Sequence, residues 1–167
     1  MRIPSIVFLT AALTVMVGPF RIADRLSSAG GEGDARGGRG CFAIVLIDAD
    51  SLACSPCGAA LMEFCRAVPP DVQEDRVVGV LTFREGVEPD LRRARIARTR
   101  WNGYSRANDI RFPVTVDETH ALDRLSEEGT TVLLFDISTG NLKRWTAPFS
   151  PGALQEMTRY LFHDKSV

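Results

Sequence analysis

Two cysteines separated by two residues carry the clearest chemistry in this sequence. They are Cys54 and Cys57, in the segment Cys54-Ser55-Pro56-Cys57. Thiols at this spacing can form a structural disulfide, hold a metal ion, or act as a redox pair that exchanges disulfides with a partner. Which of these three applies depends on the elements that surround the pair.

The cysteine pair follows an apolar run and opens an amphipathic segment. Phe42 to Ile47 is rich in β-branched residues and predicts a strand buried on both faces. Gly58 to Val68 has apolar residues at helical spacing, and Pro69-Pro70 ends that pattern. Cys54 then stands where a helix begins, and the unpaired N–H groups and positive dipole end there lower a thiol's pKa. We therefore predict that Cys54 attacks a disulfide and that Cys57 resolves the mixed disulfide.

The rest of the chain alternates between strand and helix patterns. The predicted order is βαβαβαββα, an α/β fold with a mixed central sheet and helices on both faces. Strands are predicted over 77–83, 114–116, 130–136 and 142–146, and helices over 89–101, 118–127 and from Ser150-Pro151 onward.

The N-terminal part of the chain has a different composition. Residues 1–20 contain the uncharged run Ile3 to Phe20 after Arg2, which predicts a signal peptide or an uncleaved signal anchor, since roughly 18 apolar residues can span a bilayer. Residues 21–40 include a Gly-rich stretch and predict a flexible linker. The folded domain is expected over 41–164, outside the cytoplasm.

Two stretches resemble the thioredoxin-like superfamily. "IVLIDADSLACSPC" is similar to its central strand and active-site turn. "RFPVTVDETHALDRL" and "TTVLLFDISTGNLKRW" are similar to the membrane-tethered thiol-disulfide oxidoreductases of the TlpA/ResA type. The resemblance covers residues 41 to about 162. It implies a thioredoxin fold at the periplasmic or outer face of a membrane, protein disulfides as substrates, a redox partner, and no cofactor.

The resemblance also implies roles for residues outside the cysteine pair. A buried acid six residues before the first cysteine helps to move protons, and that position is Asp48 here, with Asp50 as the alternative. Ser55, Pro56 and the residue at the usual cis-proline position are expected to contact substrate. Counting back from the end of the strand places that position at Thr130.

Two positions depart from the superfamily pattern. Thr130 stands where a cis-proline is usual, and the other candidate, Pro113, precedes a strand that is too short. Ala53 replaces the usual aromatic residue before the first cysteine. We expect both changes to alter the surface that binds substrate.

The two remaining cysteines lie on either side of the pair. Cys65 is on the inward face of the predicted helix and is expected to be a core residue. Cys41 begins the strand, at the same end of the unit, so that a Cys41–Cys65 disulfide is also open. The spacing of the four cysteines matches no common zinc or iron–sulfur site, and Gly58 excludes covalent haem attachment.

The overall charge argues against one class of partner. With a net charge of −1, the chain is a poor candidate for a generic nucleic-acid binder. The chain is expected to be a monomer. Residues 92–111 nevertheless contain seven arginines against one aspartate. They form either a solvated helix face or a patch for an acidic partner or lipid headgroups.

Two alternative functions share this fold. A peroxiredoxin-like peroxide reductase would lack the cis-proline, but it needs a threonine and an arginine around its cysteine, and Ser51 is a poor substitute. A non-enzymatic module could bind copper or a partner protein through the same face, with His120 as a candidate extra ligand.

Overall fold

The computed structural model describes residues 41–53, 55–83, 90–118, 122, 125–126, 129–136 and 139–162, with the backbone alone for residues 53 and 55–57. The predicted N-terminal segment (1–20) and linker (21–40) lie outside the described residues. No helix within the described ranges is long and apolar enough to cross a bilayer.

Five strands form one mixed sheet in the order β3-β2-β1-β4-β5. The central strand β1 is parallel to β2 and antiparallel to β4, while β3 extends the parallel side and β5 the antiparallel side. The strands are β1 (Cys41–Asp48), β2 (Val77–Thr82), β3 (Val114–Val116), β4 (Thr130–Asp136) and β5 (Leu142–Thr146). The mixed central sheet of an α/β fold, expected from the sequence, is thus confirmed.

Four helices connect or follow the strands within the described ranges. They are α1 (Ser55–Ala67), α2 (Pro70–Arg76), α3 (Leu91–Ala107) and α4 (Pro151–Phe162). The Ser150 hydroxyl accepts a hydrogen bond from the Ala153 N–H at 3.1 Å, so the predicted start of the last helix is confirmed. The short helix predicted over 118–127 falls largely outside the described residues.

Two helices differ from the sequence-based prediction. Pro69-Pro70 ends α1 as expected, but Pro70 also begins α2, which the sequence pattern did not predict. Proline suits the first turn of a helix because it has no N–H to leave unpaired. The prediction for α3 ended at about Trp101, the last residue of its apolar side, whereas the helix continues to Ala107.

The two faces of the sheet bury separate apolar clusters. The larger cluster contains Val45 and Ile47 of β1 together with side chains from all four helices. The smaller cluster contains Leu46 of β1 and, from outside the helices, Leu122 and Leu125. Alternate residues of β1 therefore enter opposite clusters, which explains why the strand reads as a continuous apolar run.

A buried glutamine closes the turn between α1 and α2. The Gln73 side chain is 3% exposed, and its amide donates to the carbonyl oxygens of Cys65 at 2.9 Å and Val68 at 2.8 Å. Its own amide oxygen accepts from the Arg111 N–H at 3.1 Å. These bonds satisfy carbonyls at the end of α1 that would otherwise have no helical partner, so α1 is anchored at the end away from its cysteines.

Candidate active site

The chain passes from the central strand into α1 through a short turn. After Asp48 come two residues and a 3₁₀ turn over Ser51–Ala53, and α1 begins at Ser55. The first turn of α1 includes the backbone of Cys57, so the helix starts three residues earlier than the apolar pattern indicated. Cys54 lies outside the described residues, as do the side chains of Ser55, Pro56 and Cys57.

Asp48 lies at the end of β1 and is almost completely buried. It is 4% exposed. One carboxylate oxygen accepts a hydrogen bond from the Ser51 hydroxyl at 2.5 Å, and the other accepts from the Asp50 N–H at 3.0 Å. Asp50 itself is exposed, so Asp48 is the buried acid of this segment.

Asp48 borders a small cavity beneath the turn. The cavity has a volume of about 10 Å³, roughly the space that one water molecule needs. Its lining combines the turn (Ser51), the first part of α1 (Gly58) and the start of β4 (Gly129, Thr130). Among the described residues, the cavity thus brings Asp48 together with Gly58 and Leu61 of α1.

Thr130 belongs to the wall of this cavity. Its side chain is 1% exposed, and its carbonyl oxygen accepts from the Ala147 N–H at 2.9 Å. The preceding residue, Gly129, has a φ of 110°, a conformation that favours glycine, and its carbonyl accepts from the Asp48 N–H at 3.1 Å. This hydrogen bond therefore ties the residue before β4 directly to Asp48.

Within the described residues, the cis peptide bond lies between Ala147 and Pro148, directly after β5, and not at Thr130. Thr131 pairs with Thr146, and the Ala147 N–H donates to the Thr130 carbonyl oxygen at 2.9 Å. Pro148 therefore directly follows the residue that bonds to the start of β4.

Tyr104 of α3 contacts the first part of α1. Its hydroxyl donates to the Gly58 carbonyl oxygen at 3.0 Å, and a Cβ placed on Gly58 would stand 3.0 Å from the same hydroxyl. Burial raises the pKa of Tyr104, and the charge of a Cys65 thiolate raises it further. Glycine directly after the second cysteine therefore allows α3 to dock against α1.

The two cysteines outside the motif are thiols in the structure. Cys65 is 8% exposed on the inward face of α1, as the helical spacing predicted. Burial raises its pKa to about 12, because the surrounding apolar groups disfavour a thiolate. Cys65 is a core residue, whereas Cys41 pairs with Asp136 at the far end of β1.

The described residues contain no group of three or more histidine, cysteine or acidic side chains placed to hold a metal ion. His120, the candidate ligand on the predicted short helix, lies outside the described residues.

Two contacts of the site were not predicted from the sequence. Ser51 was considered only as a substitute for the threonine of a peroxiredoxin, yet its hydroxyl is the hydrogen-bond partner of Asp48. Tyr104 was considered only as an aromatic residue of the arginine-rich stretch and not as a contact of α1. A serine three residues after a strand-end aspartate is a local signal that could have indicated the first contact, whereas the second depends on the packing of two distant helices.

Comparisons with known proteins give likenesses in structure. No protein-family model matches the chain, and no curated protein matches it. The crystal structure of StoA from Bacillus subtilis is 16% identical, with a TM-score of 0.46 over 73% of this chain and 82% of that one. The solution structure of a thioredoxin-like protein in the oxidised form is 20% identical, with a TM-score of 0.48 over 80% of this chain and 86% of that one. Likenesses at this level concern the backbone, so the chemistry rests on the residues of this chain.

Proposed function

We propose that this protein is a thiol-disulfide oxidoreductase that uses Cys54 and Cys57. The observation that supports it most is the course of the chain at the centre of the sheet. The central strand ends in the buried Asp48, and six residues later Cys54 directly precedes the helix whose first turn includes Cys57. A dithiol that opens a helix above a buried acid has both a means to stabilise a thiolate and a group to take up a proton.

The proposed reduction of a substrate disulfide has two steps. The Cys54 thiolate attacks one substrate sulfur, a mixed disulfide forms, and the other substrate sulfur leaves as a thiolate that takes up a proton. Cys57 then loses its proton and attacks the Cys54 sulfur, which closes the Cys54–Cys57 disulfide and releases the second substrate sulfur. Two electrons pass to the substrate, and a redox partner returns them to the chain; oxidation of substrates is the same sequence in reverse.

Asp48 is proposed to accept the proton of Cys57 and to return it in the reverse reaction. Its burial, its hydrogen bonds to Ser51 and Asp50 and the cavity that it shares with Gly58 of α1 support this role. Ser55 and Pro56, between the two cysteines, are proposed to contact the substrate. Thr130 is proposed to shape the site from the side of β4.

The proposed location is the periplasmic or outer face of a membrane. The uncharged run Ile3 to Phe20 and the Gly-rich linker after it support a signal peptide or an anchor that carries the domain out of the cytoplasm. The proposed partners are proteins that contain disulfides.

Disulfide exchange measured with three proteins tests the proposal. Wild type should reduce a model disulfide in the presence of a thiol donor, Cys54→Ser should lose the activity, and Cys57→Ser should stop after one mixed disulfide. A wild-type rate equal to that of Cys54→Ser would contradict the proposal. Tight binding of Cu(I) by such an inactive protein would assign the copper-binding alternative instead.

A further inference from the structure

A groove beside the proposed active site is lined by arginine on one side. It has a volume of about 130 Å³ and lies between α3 and the residues that follow β1 and β2. The α3 side presents Arg93, Ile96 and Arg100, which recur at helical spacing along one face. The other side consists of the strand ends, with lining residues Ala49, Asp50 and Phe83. Carboxyl ends of parallel strands are the usual place for ligands in open α/β sheets.

The charge of the groove is unbalanced. Helix α3 contains six arginines and no acidic residue. Arg98 forms an ion pair with Glu118 at 3.0 Å, but Arg93 and Arg100 form none with the acidic side chains in the described part of the chain. Among the described residues that line the groove, Asp50 is the one that is acidic. The groove therefore favours an anionic occupant.

The floor and one wall of the groove are apolar. Ala49 and Phe83 are buried beneath it, and Ile96 is 41% exposed. A concave site with an apolar floor and two guanidinium groups suits a side chain with a hydrocarbon stem and a carboxylate end. A flat membrane surface would engage the arginines but could not fill the groove.

We propose that this groove binds an acidic segment of the protein whose disulfide is exchanged, a proposal that rests on the proposed function. Asp50, which lines the groove, is four residues before Cys54 in the sequence. A substrate segment bound in the groove would therefore contact a part of this chain that is next to the reacting cysteine. Arg93 and Arg100 are two helical turns apart, about 10 Å along the axis, a distance that about three residues of an extended peptide cover. The segment would carry two acidic residues around an apolar one.

Fluorescence anisotropy with the full-length chain in a nonionic detergent tests the proposal. The probe is a labelled extended peptide without cysteine that has two glutamates around a leucine, and its partner probe has glutamines instead. Wild type should bind the glutamate probe at least about threefold more tightly, and added salt should reduce the difference. The double variant Arg93→Gln/Arg100→Gln should lose about three- to tenfold in affinity for the glutamate probe.

The double variant Arg95→Gln/Arg106→Gln is the matched control. It removes the same charge from the same exposed helix, away from the groove, and should change the affinity less than about twofold. Equal losses in the two double variants, or equal binding of the two probes, would overturn the proposal. Binding to vesicles of anionic lipid that depends on Arg93 and Arg100, without binding of the glutamate probe, would overturn it in favour of a lipid.

A parallel exchange assay with a small uncharged disulfide separates this proposal from the proposed function. If wild type exchanges the disulfide but shows no preference for the glutamate probe, the proposed binding of acidic segments is overturned and the proposed oxidoreductase activity stands. If wild type binds the glutamate probe specifically but exchanges no disulfide, the binding by the groove is supported and the oxidoreductase activity is overturned.

Discussion

Asp48 is the residue on which the proposed proton transfer depends. Its carboxylate is buried at the end of the central strand, and it accepts hydrogen bonds from the Ser51 hydroxyl and the Asp50 N–H, both in the turn that leads to Cys54. A buried carboxylate held in this way keeps one position relative to the start of α1. The same contacts that hold the turn therefore also place the proposed base.

Asp48→Asn should slow exchange with a small uncharged disulfide by roughly tenfold or more near neutral pH, because the proposed base is lost while the side-chain shape is kept. The rate should be measured under single-turnover conditions, so that the resolving step is observed. Asp50→Asn is the comparison, since its carboxylate is exposed and it was the alternative candidate. A loss in Asp50→Asn as large as that in Asp48→Asn would contradict the assignment.

At the scale of elements, the first part of α1 is held by α3 through the hydrogen bond of Tyr104 to the Gly58 carbonyl oxygen. Thr130 at the start of β4 lines the same small cavity as Gly58. The Trp101 ring, one turn before Tyr104, packs against Phe112 with ring centroids 5.6 Å apart, which ties α3 to the core. The position of the proposed dithiol thus depends on helix packing as well as on the turn.

Tyr104→Phe should destabilise the protein by about 1 kcal/mol, because one hydrogen bond between α3 and α1 is lost. It should also speed amide hydrogen exchange in the first part of α1. Tyr160→Phe is the matched control, since it removes a hydrogen bond from Lys143 Nζ instead. If both variants change amide exchange in α1 to the same extent, Tyr104 has no special role in holding that helix.

Elements with strong local patterns could be predicted from the sequence. The bounds of β3, β4 and β5 agree with the prediction. Each strand is a short run of strand-forming residues, and a Gly-containing hairpin turn separates β4 from β5. Helix α2 was missed because Pro70 was taken only as a stop signal, although it can equally begin a helix. The burial of Asp48 was expected from the resemblance, but its bond to Ser51 and the contact of Tyr104 with Gly58 depend on tertiary packing.

At the scale of the whole molecule, one apolar cluster joins the sheet to all four helices. Cys65 belongs to this cluster, and its pKa is raised from 9.0 to about 12 by burial. The unfolded chain loses the Cys65 proton near pH 9, while the folded chain keeps it to higher pH. The stability that this thiol contributes is therefore present below pH 9 and lost as the pH rises towards 12.

Urea unfolding under reducing conditions should show this loss as a fall in the free energy of unfolding above about pH 9, approaching about 1.4 kcal/mol per pH unit from this group. Cys65→Ala should start from a lower stability but show a flatter decline over the same range. Parallel declines in the two proteins would contradict the assignment of the buried thiol.

The mixed disulfide is the most direct test of the proposed oxidoreductase. Cys57→Ser is mixed with a disulfide-containing protein, thiols are then blocked, and the adduct is digested and analysed by mass spectrometry. We predict an adduct joined through Cys54, and none from Cys54→Ser under the same conditions. An adduct through Cys41 or Cys65, or no adduct at all, would contradict the proposed chemistry.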